Sequence, residues 1–325
     1  GHFFGLISVF NPYLTKDVIV AKNGSSAAYG DGVSSVIDMR SSNQIELNDN
    51  AGVGINLVNT DAYYKGDINN KIGLQLSARR SLTDLFTTPT YDEYFKRIFQ
   101  DTDLTNSNTI SQNERFYFYD VSAKFLYDIS EKDNIRINAL NIYNDLNYDE
   151  EANVNDVDEV LNSKLTQRNL ALGITYNRIW NDKVTTSAQL YLSNYDLDAT
   201  NFDINNNQRL IQENKVLDTG LKLHVTYKPD ETINYFGGYQ FSEVGISNLE
   251  DVNNPVFRRL EKQVLRTHSI FNEIGFSSKS KQTNARIGIR TNYIEKFSEI
   301  YFEPRFSFSQ RFLSHFRIEL LGELK

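Results

Sequence analysis

Leu170-Ala171-Leu172-Gly173-Ile174-Thr175-Tyr176-Asn177, followed after Asn181-Asp182-Lys183 by Val184-Thr185-Thr186-Ser187-Ala188-Gln189-Leu190-Tyr191-Leu192-Ser193, is the stretch that decides the fold. Leu170, Leu172, Ile174 and Tyr176 share one face of an extended chain, and small or polar residues occupy the other. The second run alternates in the same way, and its three-residue connection to the first is of hairpin length. Leu217, Leu221, Leu223, Val225 and Tyr227 then oppose Asp218, Lys222, His224 and Lys228. Ala285, Ile287, Ile289 and Tyr293 oppose Asn284, Arg286, Arg290 and Asn292 in turn. The alternation persists for roughly ten residues or more per segment, which suits a tilted strand crossing a bilayer better than the 5–6 residue strand of a soluble sandwich.

Connection lengths point the same way. Tight turns are expected at Asn69-Asn70, Ser130 to Asn134, Asn181 to Lys183, Pro229 to Glu231, Lys279 to Gln282 and Leu313-Ser314-His315. Long polar connections are expected at Thr87 to Asn113, Asp149 to Thr166, Thr200 to Gln212 and Leu249 to Glu261. Short turns alternating with long loops describe an outer-membrane barrel, and Tyr117, Tyr119, Tyr127, Tyr143 and Tyr148 suit aromatic girdles at its two interfaces. About thirteen strands follow Gln44, the last running to Lys325. Single-chain bacterial barrels have even strand numbers, so the expectation is an all-β, transmembrane antiparallel β-barrel of which this chain is a fragment.

Composition is consistent with that reading. Mean hydropathy is −0.48 although 40% of residues are hydrophobic, as when apolar residues are spread by alternation. Tyr and Phe, 19 and 21, together outnumber the 34 Lys and Arg, which favours strands. There is no cysteine, hence no thiolate metal site or disulfide. A net charge of −8 and a pI near 5.2, without any basic stripe, argue against nucleic acid as a partner. No apolar run is long enough for a membrane-spanning helix.

The first forty residues break the alternation. Gly1-His2-Phe3-Phe4-Gly5-Leu6-Ile7-Ser8-Val9-Phe10-Asn11-Pro12, Val18-Ile19-Val20, Lys22-Asn23-Gly24, Ser26-Ala27-Ala28-Tyr29-Gly30 and Ser35-Val36-Ile37-Asp38-Met39-Arg40-Ser41 resemble the second half of the plug domain of TonB-dependent receptors. The likeness is to the Bacteroidetes type, which carries a carboxypeptidase-regulatory-like module ahead of the plug. Ser77-Ala78-Arg79-Arg80-Ser81, Phe118-Tyr119-Asp120-Val121-Ser122-Ala123-Lys124 and Phe302-Glu303-Pro304-Arg305 resemble the barrel of the same family more loosely. The resemblance implies a plug end over 1–43 and the first part of a barrel, 22-stranded in the family, over 44–325. It implies a plug turn at Gly24, Tyr29, Gly30 and Gly32, kept slim by Ser25, Ser26, Ala27 and Ala28. The signal peptide, TonB-binding box, first plug half and closing strands of the family are not in this sequence.

Charges on the lumen side are the candidates for function: Arg79, Asp120, Lys124, Arg286, Arg290, Glu303, Arg305 and Arg311. In the family such residues hold the plug, and mutual pairing between strands is the other reading. His2, His224, His268 and His315 show no metal-ligand spacing, and His224 reads as a solvated lumen residue. Ser242 and His268 are candidates for a barrel-embedded hydrolase, although nothing in their flanks forms an activated-nucleophile pattern. The acidic runs Asp149-Glu150-Glu151 and Asp156-Val157-Asp158-Glu159 lack calcium-loop spacing and read as solvated charge. The resemblance implies an outer-membrane receptor that makes and breaks no covalent bond and needs no cofactor. Its partners would be outer-membrane lipid, the TonB energy-transducing complex and a scarce nutrient, with a lean towards an iron chelate or siderophore. A barrel that does not transport, an adhesin or surface-assembly subunit, is the alternative.

Overall fold

A computed structural model describes residues 7–30, 35–86, 88–93, 109–154, 157–203, 207–312 and 316–324. Two short strands, β1 (Thr15–Ala21) and β2 (Val36–Ser41), pair antiparallel as a separate ribbon with Val18 opposite Met39. Among the described residues, the strands after it form one antiparallel sheet of thirteen in which each strand pairs with its neighbours in the chain. These are β3 (Asn50–Ile55), β4 (Asn59–Asn69), β5 (Ile72–Ser81), β6 (Thr109–Asp128), β7 (Asp133–Val154), β8 (Val157–Ile179) and β9 (Val184–Asp203). They continue as β10 (Gln208–Tyr227), β11 (Ile233–Asn253), β12 (Val256–Ser277), β13 (Thr283–Ile294), β14 (Glu299–Phe312) and β15 (Phe316–Glu323). The count equals the one expected from the alternation.

The tight turns form where short polar side chains cap the backbone. Asn181 Oδ1 accepts from the N–H groups of Lys183 and Val184 at 2.9 and 3.0 Å. Asp230 Oδ1 accepts from those of Thr232 and Ile233 at 2.7 and 3.0 Å. Ser130 Oγ does the same for Lys132 and Asp133, both at 3.1 Å. The turn expected at Leu313 to His315 lies outside the described residues.

The long connections require correction. β7 and β8 stay paired up to Val154 opposite Val157, β9 and β10 up to Asp203 opposite Gln208, and β11 and β12 up to Asn253 opposite Val256. Residues 254 and 255 turn at the β11–β12 tip, and most of Asp149–Thr166, Thr200–Gln212 and Leu249–Glu261 is strand, including the two acidic runs as far as they are described. Likewise β6 starts at Thr109, inside the stretch expected as loop up to Asn113; residues 94–108 lie outside the described ones. A ladder satisfies backbone groups whatever the side chains are, so the polarity of these segments reports water around them, not irregular backbone.

The outward face explains the lengths. Leu217, Leu223, Val225 and Tyr227 are exposed along β10, beside Leu190 on β9 and Leu172, Ile174 and Tyr176 on β8. From Leu217 to Tyr227 the strand covers roughly 33 Å, which at the tilt of a barrel strand matches an apolar band about 25 Å tall. Above that band the same face becomes charged, with Asp196 opposite Lys215 and Glu243 opposite Arg266. Tyr117, Tyr119 and Tyr143 cluster with ring centroids 5.2–6.2 Å apart on β6 and β7 at this border. Among the described residues no helix is long and apolar enough to cross a membrane.

Replacing the band residue Ile174 by Arg is expected to destabilise the folded sheet by about 2–4 kcal/mol, the cost of a basic residue facing lipid at mid-depth. The inward-facing Gln189→Arg is expected to cost less than about 1 kcal/mol. Equilibrium unfolding in lipid vesicles, read by the heat-dependent gel mobility of barrels, measures both.

Candidate functional site

Parity along each strand sends one charged set inward, and the N-terminal segment is what meets it. Residues 24–28 lie across the inner face of β12–β15. Along them, backbone groups are taken up in order by barrel side chains. The Gly24 carbonyl accepts from Arg286 Nη2, and the Ser25 N–H donates to Glu323 Oε2 at 3.0 Å. The Ser26 carbonyl accepts from Arg305 Nη1, the Ala27 N–H donates to Glu273 Oε2 at 2.9 Å, and the Ala28 carbonyl accepts from Arg290 Nη1 at 3.3 Å. Ser25 Oγ adds bonds to Glu323 at 2.8 Å and from Arg305 at 3.1 Å. Guanidinium groups therefore meet carbonyls and carboxylates meet N–H groups, as charge-assisted bonding requires.

The arginines are held in turn. Arg290, 1% exposed, donates to Ser269 Oγ at 2.8 Å, Asn292 Oδ1 at 2.9 Å and Gln240 Oε1 at 3.2 Å, with its guanidinium 5.9 Å from the centre of the Phe271 ring. Glu303 accepts from Arg305 at 2.7 Å and from Asn292 at 2.5 Å, and Glu273 lies 3.6 Å from Arg286. Two of the glycines are obligatory here. Gly24 has φ +62°, and a Cβ on it would stand 2.8 Å from the Phe306 carbonyl oxygen. A Cβ on Gly30 would stand 2.6 Å from Arg290 Nε.

A second set of contacts comes from the opposite side of the sheet. Lys124 Nζ donates to Ser41 Oγ at 2.9 Å and Asn43 Oδ1 at 2.5 Å, while Gln75 Nε2 donates to the Ser42 carbonyl at 3.1 Å. Arg136 bonds the Asn43 carbonyl at 2.8 and 3.1 Å and pairs with Asp128 at 2.6 Å. Arg79 pairs with Asp120 at 2.7 Å and donates to the Ser8 carbonyl. One short segment thus touches β5–β7 and β12–β15 at once, which requires the sheet to curl around it.

Within the segment, Tyr29 Oη donates to Asp38 Oδ2 at 2.5 Å, and the Arg40 guanidinium bonds the same oxygen at 2.6 and 2.8 Å. Burial and the Asp38 contact push the Tyr29 hydroxyl up from its ordinary value. Burial also works to raise the Asp38 carboxyl, but hydrogen bonds from Arg40 and Tyr29 outweigh it and hold the group below its ordinary value.

Of the residues singled out in the sequence, Gly24, Tyr29, Gly30, Arg79, Asp120, Lys124, Arg286, Arg290, Glu303 and Arg305 belong to these clusters. Arg311 is exposed beside the end of β14 and stands apart from them. Gly32 lies outside the described residues, as do His2 and His315. Glu273, Glu323, Gln75 and Arg136 were missed, although alternation carries a signal for them: Glu273, for instance, stands opposite in face to the exposed Ile270 and Ile274. His224 packs edge-on against Phe236 and Phe271 at 5.5 and 5.6 Å on the inner face, so the reading of a solvated residue gives way to one of ring packing. The hydrolase pair is not assembled. Ser242 opposes Thr267 and His268 opposes Phe241, so they occupy opposite faces of the sheet, and His268 binds Tyr239 Oη at 2.7 Å and Glu295 at 2.9 Å. Among the described residues no group of three His, Asp or Glu is placed to hold a metal.

With this geometry the chain is similar to solved outer-membrane proteins. It aligns with a variant of the ferric enterobactin receptor PfeA of Pseudomonas aeruginosa at a TM-score of 0.65 and 12% identity, over 94% of this chain and 48% of the receptor. The copper transporter OprC gives 0.65 at 11% identity, over 94% and 49%. The outer membrane transporter YddB of Escherichia coli gives 0.58 at 9% identity, over 91% and 45%. The fold is that of the TonB-dependent outer-membrane receptor barrels, and the chain spans about half the length of the structures it matches. No protein-family model and no curated protein matches the sequence.

Arg290→Ala is expected to leave the Ala28 carbonyl and the Gln240 side-chain carbonyl without their guanidinium donor, and to loosen residues 24–28. Hydrogen exchange at Ser25 and Ala27 should quicken at least tenfold, in line with a cost of about 1.5–3 kcal/mol for losing a hydrogen bond to a charged group. The Asp38 contact has the opposite pH sense to a histidine switch. Its folded carboxyl titrates low, so its contribution is complete above the ordinary carboxylate value near pH 4 and disappears as pH falls through the lower folded value. The protection of the Tyr29 amide, its exchange rate taken relative to an unstructured amide at the same pH, should fall on acidification below about pH 4 in the wild type and stay flat in Asp38→Asn.

Proposed function

We propose that residues 1–43 are the end of a plug and residues 44–325 the first barrel strands of a TonB-dependent receptor in a bacterial outer membrane. The observation that carries this reading is the clasp: the N-terminal segment is held by its backbone, inside the curve of a lipid-facing sheet, by charges on β12–β15. A plug needs such contacts, because it must block a water-filled lumen at rest and come away under load. Charged side chains gripping backbone groups in that lumen are strong yet reversible. The outward apolar band supports outer-membrane lipid as its surroundings. The sequence resemblance supports the Bacteroidetes type, with the TonB energy-transducing complex pulling from the periplasmic side.

The protein acts as an active transporter and not as an enzyme. Its cargo is a scarce nutrient, and an iron chelate is favoured because proteins of similar fold include ferric enterobactin and siderophore receptors. A strain lacking the complete gene should lose growth on the cognate ferric chelate under iron limitation, and uptake of the radiolabelled chelate should cease when the energy-transducing complex is deleted. Unchanged growth and energy-independent uptake across a panel of ferric chelates would remove the iron assignment. Arg305→Ala is expected to raise passive leakage of small antibiotics through the loosened plug severalfold, measured as a fall in inhibitory concentration.

A further inference from the structure

Between the β1–β2 ribbon and the inner wall of β5–β9 lies a cavity of about 320 Å³, at the small end of the range for ligand sites, about 300–1,000 Å³. Leu14, Met39 and Leu140 supply apolar walls, and Gln75, Lys124 and Asn138 stand in one row of cross-strand partners. The next residue in that row is Gly173, whose missing side chain keeps the space open.

Two features of the row ask for a ligand. Lys124 is 7% exposed, and its hydrogen bonds go to Ser41 and Asn43, both neutral. Its ammonium has three N–H donors, so one remains. No carboxylate lines the cavity among the described residues, and Arg40, which does, is already paired with Asp38. Arg136 on the next strand is paired with Asp128, so Lys124 is the cation at the cavity that lacks a carboxylate partner among the described residues. A buried cation met only by neutral groups is costly and is relieved by an anion. Independently, Gln75 is 2% exposed, and its Oε1 is buried without a donor. An unmet acceptor of that kind calls for an O–H or N–H.

Gln75 and Lys124 are register partners, so the acceptor and the cation stand side by side. Matching both at once takes a carboxylate with a donor on the adjacent carbon. The charge of Lys124 beside it disfavours an ammonium as that donor and leaves a hydroxyl. We propose that this cavity binds a small α-hydroxycarboxylate, its carboxylate on Lys124, its hydroxyl donating to Gln75 Oε1 and its apolar tail along Leu14, Met39 and Leu140. That the bound molecule, or the matching part of a larger one, is cargo on its way past the plug rests on the transport reading above; the binding does not.

The whole protein in lipid nanodiscs is titrated calorimetrically with α-hydroxyisocaproate, with isocaproate, which lacks the hydroxyl, and with neutral α-hydroxyisocaproamide. The hydroxy acid should bind at least tenfold more tightly than either analogue. Gln75→Leu should abolish the preference over isocaproate, and Lys124→Met the preference over the amide. Because Lys124 also holds Ser41 and Asn43, Gly173→Leu is the variant that isolates the cavity. A Cβ there would meet only Gln189 Nε2 and the Leu190 carbonyl, both at 3.9 Å, so the new side chain starts unobstructed, extends into the space and should weaken binding at least tenfold. Equal affinity for the three probes, no binding of any, or binding indifferent to Gly173→Leu would each overturn the proposal, leaving the space to water or to the remainder of the plug. Selective binding in a protein without energy-dependent uptake would keep the site and remove the transport reading; uptake without selective binding would do the reverse.

Discussion

Charge buried inside a β-sheet wall is the constraint on which the rest of this structure depends. Arg290, Arg305 and Glu273 point inward from strands whose other face must be apolar to lie in lipid, and none of them tolerates being left unmet. Backbone is the partner that can always meet them, since an extended segment offers a carbonyl and an N–H at every residue. The segment from Gly24 to Ala28 does this with residues small enough to let guanidinium groups come within bonding distance. The result is a grip that rests mainly on backbone groups, with the Ser25 hydroxyl as its side-chain contribution, and that binds wall and segment into one unit.

The same two-sidedness shapes the sheet. In the apolar band every backbone group must be paired within the protein, so the strands run unbroken, and above it they continue as paired hairpins in water. That is why β7 and β8 reach 22 and 23 residues, far beyond what the band needs. The cavity beside Gly173 sits on the inner face at the level of the band, so its lining owes nothing to lipid and is free to be chosen for a ligand.

Much of this was legible in the sequence, for a physical reason. Period-two alternation is a local property, and Leu170 to Tyr176 or Leu217 to Tyr227 display it without reference to anything distant. Parity then placed Arg79, Lys124, Arg286, Arg290 and Arg305 on the inner face. What alternation does not encode is which strand meets which part of the N-terminal segment. Glu323 and Glu273 passed unnoticed because their partners, Ser25 and Ala27, lie 298 and 246 residues away in the chain. Polarity misled at Asp149 to Thr166, where Asn and Asp suggest loop but a hairpin ladder holds them in strand. Ser242 and His268 show the converse: counting parity from Ile270 and Ile274 already sets His268 on the outer face, where no inward-facing serine can reach it.

The contact between Ser25 and Glu323 also sets an order of events in biogenesis. Residues 24–28 leave the ribosome before any strand of the sheet, yet one of their partners belongs to β15, so this contact has to await the thirteen strands up to it. Closing so long a loop is entropically costly before the wall exists and becomes cheap once neighbouring hairpins have zipped. The segment must therefore survive as an unpaired strand while the sheet assembles. Ser25, Ser26, Ala27 and Ala28 suit that wait, because a stretch of small, weakly β-forming residues gives a chaperone or a sister chain little to seize.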